Sequence, residues 1–176
     1  MEKLTVRELY KDYSKFEGKE ITLEGWVKTL RDSKTFGFIE LNDGTFTDLA
    51  NEIADAGDEL NLTRNFIYSS ADSSYKEGIV INKKITINGN GFTINGNNQA
   101  CAFKVSHDNV TSKNIAFVNC SVLSSFYYAQ GGAVYWSGNN GSLVNSSFVN
   151  CFTKSSYIES YCCGGAVYWS GNNGYD

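Results

Sequence analysis

A segment of eleven residues that occurs twice constrains the fold of this chain more than any other feature. Residues 131–141 recur without change at residues 164–174, an offset of 33, and residues 117–120 recur at 148–151, an offset of 31. Each repeat contains several short β-type runs separated by Gly and Asn, and a unit this small cannot bury its own apolar face. The repeats therefore predict a mainly β protein whose core is a right-handed parallel β-helix, with equivalent residues of successive coils stacked on one another.

Stacking makes specific predictions about register. Phe117 is expected to lie on Phe148, and residues 133–135 are expected to pair in parallel with residues 166–168. The unequal offsets predict that the extra residues of the longer repeat lie within residues 152–163, as a protruding and mobile loop. The chain has no Pro, which suits strands that must all donate their N–H groups, and its many Asn residues suit corners with left-handed backbone.

Composition changes sharply near residue 45. Residues 1–45 contain 17 charged side chains, and the remaining 131 residues contain the same number. We interpret this step as a boundary between a segment at 1–45 and a β-helix at 46–176. In the second part, Thr47 is the predicted N-cap of a capping helix from Asp48 to about Ala54. We expect the β-helix to be truncated at its C-terminus, and its uncapped edge predicts self-association.

The first segment carries a helix signal and a hairpin signal. Thr5 and Glu8 form a capping box for a helix over about residues 6–13. Alternation of apolar and polar residues follows, and it predicts a β-hairpin over about residues 20–41 that ends in the turn signal at residues 42–44.

Residues 25–27, 30–34 and 36–44 read Gly-Trp-Val, Leu-Arg-Asp-Ser-Lys and Phe-Gly-Phe-Ile-Glu-Leu-Asn-Asp-Gly. This run closely resembles the N-terminus of bacterial asparaginyl-tRNA synthetases, where an OB-fold grips the tRNA anticodon. The resemblance implies that Phe38 is a stacking platform for a base and that Arg31 contacts phosphate or a base edge. The alternative is that Phe38 is a core residue and Arg31 a solvated turn residue.

The synthetase pattern is incomplete in this chain. A complete OB-fold has five strands, and residues 1–45 account for two and the start of a third. The resemblance therefore implies a partial OB-fold, with weak tRNA contact as its residual role. The class II catalytic domain of that family has no counterpart here, so aminoacylation is not expected.

The second part has a different resemblance. Residues 79–91, Ile-Val-Ile-Asn-Lys-Lys-Ile-Thr-Ile-Asn-Gly-Asn-Gly, and the repeated Gly-Gly-Ala-Val-Tyr-Trp motif resemble adhesin-like surface proteins of methanogenic archaea. That resemblance implies a non-enzymatic surface module with a cell-surface or carbohydrate ligand. The family is extracellular, whereas this sequence opens without a signal peptide and is expected to stay in the cytoplasm. Together the two resemblances indicate a chimera or gene fragment.

Catalytic and metal-binding residues are not evident. After Glu77 the only acidic residues are Asp108, Glu159 and Asp176, too few to place a carboxylate pair for glycoside hydrolysis. The single histidine, His107, lies in a predicted turn, and the five cysteines form no Cys-x-x-Cys pair, so we expect no metal and no cofactor. A polysaccharide-active β-helix is the weaker alternative to a purely binding module.

Four aromatic residues of the repeated motif are candidates for stacking on sugar rings: Tyr135, Trp136, Tyr168 and Trp169. The alternative is that Val134 and Trp136 face the interior of the coil, since alternate residues of a strand point to opposite faces. Cys120 and Cys151 occupy equivalent positions and are expected to stack. They are interpreted as small buried apolar residues, and the oxidising surroundings of the adhesin-like family would allow a disulfide.

Overall fold

The computed structural model describes residues 3–4, 9, 12–23, 26–32, 37–42, 44–125 and 128–174, with the backbone alone for residues 3–4, 26–32 and 37–42. Internal contacts separate the chain into two units, Met1–Gly44 and Thr45–Asp176.

The first unit contains two small sheets. Strand β1 (Lys3–Leu4) pairs in parallel with β2 (Thr22–Leu23), and β3 (Trp26–Asp32) pairs antiparallel with β4 (Gly37–Asn42). The predicted hairpin is thus confirmed, although it begins at Trp26. The predicted helix over residues 6–13 lies largely outside the described residues, and a short 3₁₀ helix occupies Tyr13–Phe16. That this unit is part of an OB-fold stays a prediction.

The second unit is a β-solenoid of about four turns, as the repeats predicted. Its strands, in chain order, are β5 (Glu59–Asn61), β6 (Phe66–Ile67), β7 (Ile79–Ile81), β8 (Thr86–Asn88), β9 (Thr93–Asn95), β10 (Phe103–Val105), β11 (Thr111–Lys113), β12 (Ala116–Val118), β13 (Ser121–Ser124), β14 (Tyr128–Gln130), β15 (Val134–Trp136), β16 (Ser142–Val144), β17 (Ser147–Val149), β18 (Phe152–Ser155), β19 (Tyr161–Cys163) and β20 (Val167–Trp169).

Three parallel sheets form the faces of the solenoid. Their strand orders are β7-β10-β15-β20, β5-β8-β11-β16 and β6-β9-β12-β17. The predicted register is confirmed, because Phe117 pairs with Phe148 and Val134 pairs with Val167. Right-handed winding stays the expectation for parallel strands joined by crossovers.

A capping helix, α1 (Phe46–Asp55), packs on the first coil and buries Phe46, Leu49 and Ile53. The predicted N-cap was wrong by two residues. Thr45 is the N-cap, and it exchanges hydrogen bonds with Asp48, whose backbone N–H donates to the Thr45 hydroxyl at 3.0 Å. A capping box requires a hydrogen-bond acceptor side chain three positions after the cap; Thr45 has Asp48 there, whereas Thr47 has Ala50.

Thr47 instead makes hydrogen bonds to Asp72. Its backbone N–H and hydroxyl donate to one carboxylate oxygen of Asp72 at 3.0 and 2.7 Å. The N–H and hydroxyl of Ser69 donate to the other oxygen at 2.9 and 2.8 Å. Burial raises the pKa of Asp72, but these four hydrogen bonds favour the carboxylate and outweigh burial, so that the pKa lies below its ordinary value.

The core of the solenoid consists of stacked side chains. Phe117 is fully buried, with its ring stacked on that of Phe148 at a centroid separation of 5.1 Å and edge-on to Phe103 at 5.6 Å. In-register stacking continues in the column Leu60, Ile87, Ser112 and Leu143. The hydroxyl of Ser112 is buried there without a hydrogen-bond partner among the described residues.

Asparagine shapes the corners, as predicted. Ten Asn residues have left-handed backbone, and they are Asn90, Asn97, Asn98, Asn109, Asn114, Asn119, Asn140, Asn145, Asn150 and Asn173. The short amide side chain tolerates this conformation better than other non-glycine side chains do. Along one corner the side chains form an asparagine row in which Asn145 donates to Asn114, Asn114 to Asn88, and Asn88 to Asn61, at 2.7, 2.9 and 3.0 Å.

The last two coils each carry two extra strands. Residues 152–163, which we predicted to be a protruding loop, instead contain β18 and β19, paired in register with β13 and β14. Pairing satisfies backbone groups that a loop would leave to solvent. Five residues, 156–160, separate β18 from β19, whereas three separate β13 from β14, and this accounts for the difference between the two repeat offsets. We call β13, β14, β18, β19 and residues 156–160 the side lobe.

Candidate binding surfaces

The first candidate surface is the outer face of the sheet β7-β10-β15-β20. Its outward positions are Val80, Lys104, Tyr135 and Tyr168. The two tyrosine rings stack on each other at 5.4 Å, and the Lys104 Nζ lies 5.9 Å from the Tyr135 ring centroid. Both faces of the Tyr135 ring therefore have protein neighbours, which leaves mainly the ring edge and hydroxyl for a ligand.

Trp136 does not belong to that surface. It is fully buried and stacks on the half-buried Trp169 at 4.4 Å, with the ring planes 8° apart. Both side chains follow the alternation that places Val134 and Trp136 inside the coil. The structure thus removes Trp136 from the predicted set of carbohydrate contacts and leaves Trp169 only partly accessible.

The repeated motif explains how the indoles fit inside the coil. Each tryptophan packs over a glycine five residues later, Trp136 over Gly141 and Trp169 over Gly174. A Cβ atom on Gly141 would lie 2.4 Å from Trp136 Nε1, and one on Gly174 would lie 2.4 Å from Trp169 Cε2. These separations are far below van der Waals contact, so the motif needs glycine at this position.

The side lobe is the second candidate surface, and the sequence did not predict it. It exposes six large apolar or aromatic side chains, which are Leu123, Tyr128, Phe152, Tyr157, Ile158 and Tyr161. Tyr128 and Tyr161 are 59% and 57% exposed, their rings stack at 6.2 Å, and Ile158 at the turn is fully exposed. Lys154 and Glu159 are the only charged residues in segments 121–130 and 152–163.

Exposed apolar side chains in one place usually mark an interaction site, whereas single ones scattered over a surface do not. The signal available in the sequence was the density of Tyr and Phe in residues 123–128 and 152–161, where strict alternation is lost. The loop predicted at residues 152–163 does not take this density into account.

Cys120 and Cys151 stack, as predicted. They lie between the in-register pairs Val118–Val149 and Ser121–Phe152, and the Cys151 Sγ lies 3.5 Å from the carbonyl oxygen of Phe117 in the coil below. Interaction between the two neighbouring thiols raises the pKa of the buried Cys120 and lowers that of the half-buried Cys151.

The few acidic residues of the later coils have structural contacts. The Asp108 carboxylate accepts a hydrogen bond from the Asn139 backbone N–H at 2.7 Å, and the His107 ring lies 2.6 Å from the Asp108 carbonyl oxygen. These contacts agree with the turn predicted at this position. Within the described ranges, no three His, Cys, Asp or Glu side chains come together as metal ligands would.

Arg31 and Phe38 are brought together by the hairpin of the first unit. They are directly opposed partners in the antiparallel pairing of β3 with β4. Their side chains lie outside what the structure describes.

Comparison with known proteins finds similarity to asparagine–tRNA ligases. The ligase of Alkaliphilus oremlandii is 52% identical over 46 residues and that of Clostridium novyi is 54% identical over 46 residues; each match covers 26% of this chain and 10% of the ligase. The ligase of Bacillus cereus is 43% identical over 82 residues, 46% of this chain and 17% of the ligase. The chain thus spans between a tenth and a sixth of the length of these relatives.

This similarity supports the synthetase-like segment that residues 25–44 predicted. No family model matches the chain, and no solved structure matches it. Among the described residues, no helix combines the length and hydrophobicity needed to cross a membrane.

Proposed function

We propose that residues 45–174 act as a non-enzymatic, adhesin-like binding module that holds a neutral polysaccharide against the side lobe. The observation that carries this proposal is the concentration of exposed aromatic residues in the side lobe, with the Tyr128 and Tyr161 rings more than half exposed. The solenoid supports this surface on stacked strands, because β13 pairs with β18 and β14 with β19 over their full lengths.

The chemistry of the side lobe favours a sugar ligand over a charged one. One face of a pyranose ring presents C–H groups that pack on an aromatic ring, while its hydroxyls need hydrogen-bonding partners. Tyrosine supplies an apolar ring with a polar tip, and the partly exposed Ser124 and Ser155 add hydroxyls to the same strands. With one Lys and one Glu, the side lobe has little net charge to attract an ionic partner.

The proposal is that the module binds without cleaving. It is supported by the contacts of Asp108, which is engaged in a turn, and by the exposed position of Glu159 with no second carboxylate on the same turn. A polysaccharide-active enzyme would need two carboxyl groups about 5–10 Å apart on either side of the scissile bond.

Binding is tested with two tyrosine pairs on different faces. The unmutated chain, Tyr128→Ala/Tyr161→Ala, and the matched control Tyr135→Ala/Tyr168→Ala are run in gels that contain neutral polysaccharides, and retardation is measured. We expect retardation of the unmutated chain and of the control, with a loss of at least tenfold in affinity for the side-lobe variant. Loss in the control alone, or no retardation by any polysaccharide, would overturn the assignment of side lobe and ligand.

The same mixtures test the absence of catalysis. After prolonged incubation we expect no increase in reducing ends above that of a heat-denatured sample. A release of reducing ends that is lost in Glu159→Gln would show that the module is polysaccharide-active.

Contact with tRNA is the second candidate function, and the opposed positions of Arg31 and Phe38 favour it. By similarity to the asparagine–tRNA ligases, these residues would contact a base and the backbone of an anticodon loop. The chain covers so little of those ligases that we propose weak contact without anticodon specificity. In a salt-titrated binding assay we expect equal affinity for an asparagine tRNA and an unrelated tRNA; a clear preference that Phe38→Ala abolishes would contradict this expectation.

We further propose that the chain joins two unrelated coding segments near residue 44. The step in charge density supports this, as do the 46-residue matches to the Alkaliphilus and Clostridium ligases. The 82-residue match to the Bacillus ligase is longer than the first unit, so the DNA reads that test this joint must extend well beyond codon 44. Single long DNA reads across codons 40–90 are expected to show one continuous coding sequence; reads that never cross this region would identify an assembly artefact.

A further inference from the structure

We propose that Cys120 and Cys151 form a disulfide between adjacent coils, closed by exchange with a low-molecular-weight disulfide such as oxidised glutathione. The two residues hold equivalent positions in successive coils, and pairs in parallel register bracket them on both sides, Val118 with Val149 and Ser121 with Phe152. The Phe152 backbone N–H donates to the Cys120 carbonyl oxygen at 3.0 Å, so the ladder continues through the cysteines themselves.

The geometry of stacked coils meets the requirement of a disulfide. Adjacent strands lie about 4.8 Å apart. Bonded cysteines have Cα atoms about 4.4–6.8 Å apart, so Cys120 and Cys151 need little backbone movement to bond. The Cys151 Sγ leans over the coil of Cys120, 3.5 Å from the Phe117 carbonyl oxygen.

Burial assigns the two thiols different roles. Cys151 is half-buried and can meet a solute, whereas Cys120 is fully buried among core residues. The lowered pKa of Cys151 increases its thiolate fraction, and the thiolate is the attacking species in exchange. Cys151 is therefore the entry point, and Cys120 is the thiol that resolves the mixed disulfide.

The disulfide forms in two thiol–disulfide exchange steps. The Cys151 thiolate attacks one sulfur of the oxidant, which forms a mixed disulfide and expels the first small thiolate. The Cys120 thiol then gives its proton to solvent or to a small thiolate as its sulfur attacks the Cys151 sulfur and expels the second. Two cysteine thiols are oxidised, one small disulfide is reduced to two thiols, and no further electron carrier is needed.

The other cysteines provide internal controls. Cys162 is exposed but stands opposite Ala129, and Cys163 stands opposite Gln130, so neither has a thiol in the adjacent coil. Cys101 is buried, with its Sγ 3.1 Å from the Ala133 carbonyl oxygen. Burial raises the pKa of the Cys101 thiol to about 12, and the pKa of Cys120 is raised as well, so neither buried thiol serves as the entry point.

The test uses the full chain as C162S/C163S, which retains Cys101 and the proposed pair. The folded protein is incubated with oxidised glutathione, remaining thiols are alkylated, and a protease digest is mapped by mass spectrometry. We expect a linked peptide pair that contains Cys120 and Cys151, in a monomer two hydrogens lighter than the reduced chain, with a melting temperature raised by several degrees and restored by dithiothreitol. The same linkage is expected in the unmutated chain and in C162S/C163S/C101A.

Two further results decide the proposal. C162S/C163S/C151S is expected to keep Cys120 reduced under the same conditions, because the entry thiol is missing. A stable glutathione adduct on Cys151 with Cys120 still reduced would overturn the proposal, and so would a linkage between chains or to any other cysteine.

Discussion

Asp72 ties the capping helix to the segment before β7, and its replacement by asparagine should measurably weaken the solenoid. The carboxylate is 2% exposed and accepts four hydrogen bonds, two at each oxygen. An amide has one acceptor oxygen, and its NH₂ group would face two of the present donors. Hydrogen bonds to a charged group contribute about 1.5–3 kcal/mol each, and buried unsatisfied donors add a cost. We expect Asp72→Asn to lower the free energy of unfolding by about 2–4 kcal/mol at pH 7.

The direction of the pKa shift of Asp72 determines how the loss of stability in Asp72→Asn depends on pH. The pKa of Asp72 is lower in the folded state than in the unfolded state, so its contribution is complete above the unfolded pKa and is lost as pH falls through the folded pKa. The unfolded value is about 3.9. The difference in stability between the unmutated chain and Asp72→Asn should therefore be constant above about pH 5 and shrink below about pH 4.

The assay is urea unfolding followed by tryptophan fluorescence in a Trp26→Phe background, so that the signal comes from Trp136 and Trp169 in the solenoid. Asp58→Asn, at an exposed position, is the matched control and should change stability by less than about 0.5 kcal/mol. A variant Asp72→Asn as stable as this control at pH 7, or a stability difference that does not change with pH, would refute the reasoning.

Three other predictions follow from the packing. Gly141→Ala should cost about 1–3 kcal/mol because its Cβ would meet the Trp136 indole, whereas Gly57→Ala, with open space around it, should be near neutral in the same unfolding assay. Phe117→Ala should cost about 3–5 kcal/mol and Phe148→Ala clearly less, since only Phe117 is fully buried; equal losses would contradict the stacking order. Strands β16, β17 and β20 are paired on one side only, so we expect concentration-dependent association in sedimentation velocity, and a strictly monomeric chain at high concentration would exclude it.

The parts of the fold that could be predicted from sequence are those fixed by repetition. Identical segments must have equivalent surroundings, so the pairing of Phe117 with Phe148 followed directly from counting offsets. The side lobe could not be predicted in the same way. Whether a segment between two repeated strands forms a loop or extra strands depends on whether the neighbouring coil offers a backbone to pair with, which is a property of two segments jointly.

The candidate surface was harder to predict than the fold for a related reason. Alternate residues of β15 point to opposite faces, and in the structure Trp136 is on the inward face. The sequence alone was equally consistent with the opposite assignment, in which Trp136 points outward. The N-cap error has a local cause: Thr45 and Thr47 lie two residues apart at the helix start, and only Thr45 is followed three residues later by an acidic residue, Asp48, that completes a capping box.

The asparagine row has a direction. Each amide NH₂ group donates to the asparagine of the preceding coil. Asn145, at one end of the row, therefore acts in it only as a donor, and Asn61, at the other end, only as an acceptor. A carboxylate can replace an acceptor but not a donor, and hydrolysis of the side-chain amide, which converts Asn to Asp, is therefore compatible with the row at Asn61 and breaks it at Asn145. Chemical ageing of the protein should thus begin to loosen this corner from the later coils, while the same lesion in the first coil leaves the row intact.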